Sequence, residues 1–287
     1  MRKSLITTAV LGALAAPSFV FAADAAPAPD LTVAYNVGLY SQYIFRGLTQ
    51  TNNNPAIQGG IDLTHSSGFY LGAWASNVNW TVDSTYYTSG SLEVDLYGGY
   101  RYNFGDSGLG IDVGALQYLY PGSLAKDSGV TKPDANTTEI YGAVNYKWLQ
   151  AKISSVVSDH AWTVGYYGTG TNKGEDARGT YYAELNANAP VGEWIGGDLL
   201  SGVTVIAHAA RQEFSGSKLN FGQGFKNDEY SYSDYKLGLQ KSFSNGVNVG
   251  AYWTKATTKD AAWTYTASGK TNNLGDDTGT VYLQKTF

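Results

Sequence analysis

The chain has no cysteine, one methionine and few charged residues, which make up 15% of its 287 positions. Without cysteine there is no disulfide framework, no thiol nucleophile and no thiolate metal site. The same absence suits a polypeptide that crosses an oxidising periplasm unfolded. Basic residues are the scarcer sign, 19 Lys and Arg against 24 Asp and Glu. Segment 1–22 carries Arg2 and Lys3 and no acid, so its removal leaves 17 against 24, a net charge of −7. That balance argues against nucleic acid as a partner. No long apolar run is present either. The longest, Leu5 to Ala16, falls short of the ~20 residues a spanning helix needs. With the preceding Arg2-Lys3 and the small-residue site at Val20-Phe21-Ala22, it reads as an export signal cleaved after Ala22.

What the chain has in excess is 35 Gly, 23 Tyr and 7 Trp. Tyr and Trp favour a membrane–water boundary, where one end of the side chain is apolar and the other wet. Behind a short periplasmic tail at 23–30, the rest of the chain, 31–287, alternates apolar and polar residues with a period of two. From Leu31 the odd positions run Leu31, Val33, Tyr35, Val37, Leu39, Ser41, Tyr43, Phe45, and the even row ends at Arg46. A helix would need a period of 3.6. The same template predicts segments at 56–65, 69–80, 91–102, 109–120, 137–147, 149–158, 180–189, 203–210, 230–241, 246–257 and 279–287. With the first, that makes twelve. Rows such as Leu92, Val94, Leu96 and Val247, Val249, Ala251, Trp253 are apolar throughout; segment 69–80 is apolar on both faces and leaves its orientation open.

The connections alternate too. Long polar ones (47–55, 81–90, 121–136, 159–179, 211–229, 258–278) are separated by tight turns, with 190–202 the exception. A soluble sandwich has no reason to sort loop length by side. A barrel in an outer membrane does, with lipid outside, polar residues inside and long loops at one end. The expected fold is therefore an all-β, up-and-down antiparallel transmembrane barrel of about twelve strands, with outer-membrane lipid and lipopolysaccharide as its surroundings. The last residue, Phe287, is aromatic, and such a terminal strand resembles the signal read by barrel-assembly machinery; Lys285 stands where an apolar residue is commoner.

If the apolar rows face lipid, the opposite rows send ionisable groups inward. The candidate lumen and constriction residues are Arg46, Asp62, Glu93, Asp95, Arg101, Lys152, Glu184, His208, Asp234 and Lys236, joined by Asp112, Glu139 and Lys147. Mixed signs allow either an ion network bracing the wall or a transverse field across a pore. Catalysis finds little support: the same-face neighbours of His208 are Ile206 and Ala210, and no G-x-S-x-G elbow is present. Asn52-Asn53-Asn54 and the stretch at 275–279 lack calcium-loop spacing and read as turns. No cofactor or metal is expected.

The stretches Ser41 to Asp62 and Ser67 to Val78 resemble the opening of a proteobacterial outer-membrane family, the TorF-like porins, formerly the Gcw_chp proteins of unknown function. Phe45-Arg46-Gly47, Asn54-Pro55-Ala56, Gly68-Phe69-Tyr70 and Gly72-Ala73-Trp74 carry the likeness, which extends from about Leu31 to Phe287. It implies an outer-membrane barrel of porin type and brings no catalytic or ligand residues. The expected function is passive diffusion of small hydrophilic solutes or ions through a narrow polar lumen. The rival is a closed structural or surface-binding barrel acting through its long loops, with Tyr40, Tyr97, Tyr141, Tyr182 and Tyr252 packing the lumen shut. Oligomeric state stays open.

Overall fold

A computed structural model describes residues 30–126, 129–166, 168–169, 174–220, 224–267 and 270–287. The expected signal segment 1–22 and nearly all of the tail lie outside them. Twelve strands close into a single antiparallel barrel in chain order. They are β1 (Leu31–Tyr40), β2 (Ala56–His65), β3 (Phe69–Asn77), β4 (Leu92–Asn103), β5 (Leu109–Leu119) and β6 (Thr137–Tyr146). There follow β7 (Leu149–Val156), β8 (Tyr181–Ala189), β9 (Val203–Glu213), β10 (Tyr232–Ser242), β11 (Val247–Ala256) and β12 (Thr278–Thr286). The ladder that closes the ring pairs Asn36 with Thr286 through Tyr40 with Tyr282. Every strand thus has two neighbours and no edge is left unpaired, the condition for β-structure in lipid.

The burial pattern is inside-out. Leu71 and Leu185 on the outer rows are 64% exposed, whereas the acids Glu93 and Asp95 on the inner row of β4 are 0% and 2% exposed. An apolar exterior around a charged interior fits a solvent of hydrocarbon. β3, ambiguous in sequence, sends Tyr70, Trp74 and Ser76 inward and Phe69 and Leu71 outward, as its pairing of Gly72 with Asp62 requires. Exposed aromatics ring the end with the short turns: Tyr102, Phe104, Tyr146, Trp148, Phe243 and Phe287. The one long connection at that end, 190–202, holds a short helix (Val191–Ile195) whose Trp194 meets Trp148 at 5.5 Å. It therefore extends the aromatic belt.

An outward residue at mid-strand should tolerate no charge. Leu237→Arg is expected to destabilise the barrel by roughly 2–4 kcal/mol, as Arg does near a bilayer midplane. Asp106→Arg, in a short turn, should leave the melting temperature unchanged. Urea unfolding in lipid vesicles distinguishes the two, and equal losses would mean that the outer row does not face hydrocarbon.

Candidate functional site

The inner wall is built from pairs of glycine and an aromatic ring facing each other across strands. Gly72 pairs with Tyr97, Gly99 with Tyr70, Gly114 with Tyr141, Gly250 with Tyr282, Gly238 with Tyr252 and Gly60 with Trp74. A methyl group on Gly72 would sit 2.3 Å from the Tyr97 ring, and on Gly250 2.4 Å from the Tyr282 ring. The rings of Tyr97, Tyr70, Tyr141, Tyr282 and Trp74 therefore fold over the glycine opposite and stay against the wall, covering backbone that no side chain shields. This accounts for much of the inward-facing glycine. Gly72→Ala or Gly250→Ala should lower stability by about 1–3 kcal/mol through overpacking. Gly142→Ala, with open space around it, should not; thermal melts of the three variants test the pairing.

Charged groups on the wall are mostly partnered. Arg101 Nε donates to Asp112 at 2.9 Å, with the guanidinium 3.7 Å above the Tyr70 ring, while Tyr70 donates to the same carboxylate at 2.6 Å. Tyr97 donates to Asp62 at 2.6 Å. Lys152 lies 3.8 Å from Glu184 and 4.6 Å from the Tyr141 ring. His208 contacts Asp234 at 3.0 Å, Tyr182 at 2.9 Å and Asn186 at 2.6 Å. No serine joins these His208 contacts. Lys236 Nζ lies 4.9 Å from the Tyr252 ring. These groups come from β2 and from β4 to β10. The inner rows of β11, β12 and β1 carry only uncharged residues, among them Tyr252, Tyr282, Gln284 and Asn36. Lys147 is no part of the lumen: it turns the chain between β6 and β7 at φ +54° and is exposed.

Arg46 departs most from its expected place. β1 does not run on to it but ends at Tyr40, and the chain turns into the barrel. Ser41 still bonds Val281 (2.9 Å), and Gln42 bonds Thr278 and Gly279. Ile44–Phe45 and Leu48–Thr49 then pair as a small hairpin with Arg46 and Gly47 at its tip, both at positive φ. Residues 42–51 are buried. Gly47 (φ +78°) rests on β10 and β11 so closely that a Cβ there would lie 2.4 Å from that of Asp234 and 3.1 Å from that of Ala256. Only glycine fits.

The hairpin reaches the wall on several sides. Tyr43 donates to Glu93 of β4 at 2.6 Å. Arg46 forms a bidentate pair with Glu139 of β6 (2.9 and 2.7 Å) and donates to Gln212 of β9 at 2.8 Å. Burial by itself lowers the Arg46 pKa, but the Glu139 charge, with smaller contributions from Tyr118 and Tyr182, outweighs it and holds the guanidinium above the ordinary arginine range. For Tyr43, burial and then the Glu93 charge push the phenol well above its usual value, so it remains a donor. Phe45 packs edge-on against Tyr118 and Trp162. Above it, loop residues Trp162, Phe214, Tyr230 and Trp263 form an apolar lid with Leu48.

The five tyrosines that would close the lumen under the rival reading take different places. Tyr97, Tyr141 and Tyr252 pair with glycines, Tyr40 stacks on Tyr282 at 5.1 Å, and Tyr182 lies beneath Arg46, 4.2 Å from ring centre to guanidinium. What fills the long-loop half of the lumen is the hairpin, packed with Leu116 and Tyr118 of the wall and Tyr86, Tyr87 and Tyr120 of neighbouring loops.

A bacterial family described as of unknown function, Gcw_chp, matches residues 24–287. The chain belongs to the Gcw_chp family. Among solved structures it is similar to the KdgM porin (10% identity, TM-score 0.45, covering 88% of this chain and 99% of that one). It is also similar to the NanC porin (8% identity, TM-score 0.45, 89% and 99%). The outer-membrane protein OprD from Pseudomonas aeruginosa matches at 13% identity and a TM-score of 0.39, over 82% of this chain and 59% of that one. A search of curated proteins gave no match.

Proposed function

We propose that this Gcw_chp protein is an outer-membrane porin, a passive route for small hydrophilic solutes, whose constriction is the inserted hairpin at 42–51. One observation carries the reading: Tyr70, Tyr97, Tyr141 and Tyr282 lie against wall glycines, while the hairpin at 42–51 crosses the lumen and bonds Glu93, Glu139 and Gln212 on separate strands. A barrel built only as a scaffold needs no such crossing. The long loops face the outside, as in barrels of this type. The short-turn half, with Asp62 and Arg101, and the mid-strand girdle of Lys152, Glu184, His208 and Lys236, all only partly buried, form a polar vestibule on the periplasmic side. Acids outnumber bases on the inner wall, so a water-filled path weakly prefers cations, less so as salt screens the field over ~10 Å at 0.1 M.

The rival has an observation of its own, since the hairpin is buried and its charges are bonded. Planar-bilayer recordings of the purified protein decide between them. The porin reading expects resolved openings with a reversal potential on the cation side. Folded protein with no current above background and no solute uptake in liposome swelling would leave the closed, loop-acting barrel.

A further inference from the structure

The guanidinium of Arg46 sits in a cage made largely by residues outside its own hairpin. Glu139 takes two of its N–H groups in the bidentate geometry that suits a planar fork, and Gln212 takes a third. The rings of Tyr182 and Trp162 lie 4.2 and 5.3 Å from its central carbon, within cation–π range. Asp95, inside the field of Arg46 and Glu139, is 2% exposed, and its Oδ1 finds no hydrogen-bond partner. A buried carboxyl oxygen without a hydrogen-bond partner marks a place where one more partner is wanted.

We propose that this cage is the recognition site of the channel, and that it selects small organic cations bearing a guanidinium or primary ammonium group. Arg46 is their tethered stand-in. The inference rests on the porin reading. Each element of the cage reads the cation and not the chain that carries it: an acid that accepts paired N–H groups, an amide oxygen and two π faces. A free solute of the same chemistry competes with Arg46 for the same partners. Its binding favours the state in which the hairpin tip has left the cage, and the shift is as large as its preference for that state. Neutral sugars and simple anions cannot take the place of Arg46 against Glu139 and the two rings.

The test uses the full protein with Arg46→Ala, which empties the cage while leaving Glu139, Gln212, Tyr182 and Trp162 in place. The probe is methylguanidinium chloride, compared at equal ionic strength with potassium chloride and tetramethylammonium chloride. Methylguanidinium should raise the melting temperature of Arg46→Ala in detergent by several degrees and leave wild type unmoved. It should also reduce the current through Arg46→Ala in bilayers, severalfold more than tetramethylammonium, which has no N–H to give Glu139. Adding Glu139→Gln should abolish both responses. That second change removes an unpaired buried charge and so does not itself threaten folding. A conducting Arg46→Ala that ignores methylguanidinium in both assays overturns the cage and leaves the porin standing. A melting response in protein that conducts under no condition overturns the porin reading, and selection by the cage falls with it.

Discussion

Replacing residues 42–51 by a short Gly-Ser linker should convert the protein from a largely closed barrel into one with a steady, ohmic conductance. The change removes Tyr43, Phe45, Arg46 and Leu48 together, the side chains that fill the lumen between β4, β6 and the β9–β11 wall. Tyr97, Tyr141 and Tyr282 are held against the glycines opposite and are not free to swing into the space. A twelve-stranded ring lies between eight strands, which side chains fill, and sixteen, which leave an open channel. At this size the hairpin decides whether water passes. The ladders between strands do not involve it, so the barrel itself should assemble normally, as heat-modifiable mobility on a gel would show. Unchanged conductance in correctly assembled protein would move the constriction elsewhere.

Glu139→Ala should have the largest effect of any single substitution. It leaves the Arg46 guanidinium buried beside Gln212 and two rings with no counter-ion in contact, a loss of about 3–5 kcal/mol when one partner of a buried pair is removed. The cheaper outcome for the molecule is to expel the hairpin tip. Both a lower melting temperature and a higher open probability are therefore expected, and they should appear together. Adding Arg46→Gln to Glu139→Ala should recover much of the stability while keeping the pore leaky, because the unpaired charge is then gone but the latch is still broken. Chemical denaturation and bilayer recording of the single and double variants give the cycle. Additive losses would show that Arg46 and Glu139 are not coupled.

The barrel itself was legible in sequence because a strand with lipid on one side and water on the other must alternate, and alternation survives in one dimension. All twelve expected segments correspond to strands, with ends shifted by a few residues at most except in the first. That exception is instructive. The row from Leu31 runs on to Arg46 in period two, yet β1 stops at Tyr40. Tyr43, Ile44, Phe45 and Leu48 are apolar because they pack inside the barrel, and burial there looks the same in sequence as burial against lipid. Lys147 departs from its strand's parity for a related reason: at a two-residue turn the parity of the strand no longer says where a side chain points. The inner acids and bases were found by parity alone, but their partners were not, since pairing depends on register between strands. The match of Gly72 to Tyr97, or of Glu139 to the tip of a distant hairpin, needs that register. The clue that was available is Gly47, a glycine after a cation in an otherwise bulky run.

The absence of cysteine makes the most direct test simple. Ala34 lies on the inner row of β1 in the half with the short turns, is partly exposed and pairs with Asp62, so Ala34→Cys introduces one small, lumenal thiol. Its labelling by a membrane-impermeant maleimide added from outside intact cells should be followed with the hairpin present and with residues 42–51 replaced. The account predicts slow labelling in the first case and fast labelling in the second, with equally fast labelling of both once the periplasm is opened. Equal labelling from outside with and without the hairpin, whether fast or absent, would contradict a lumen that runs through the membrane and is closed by that hairpin.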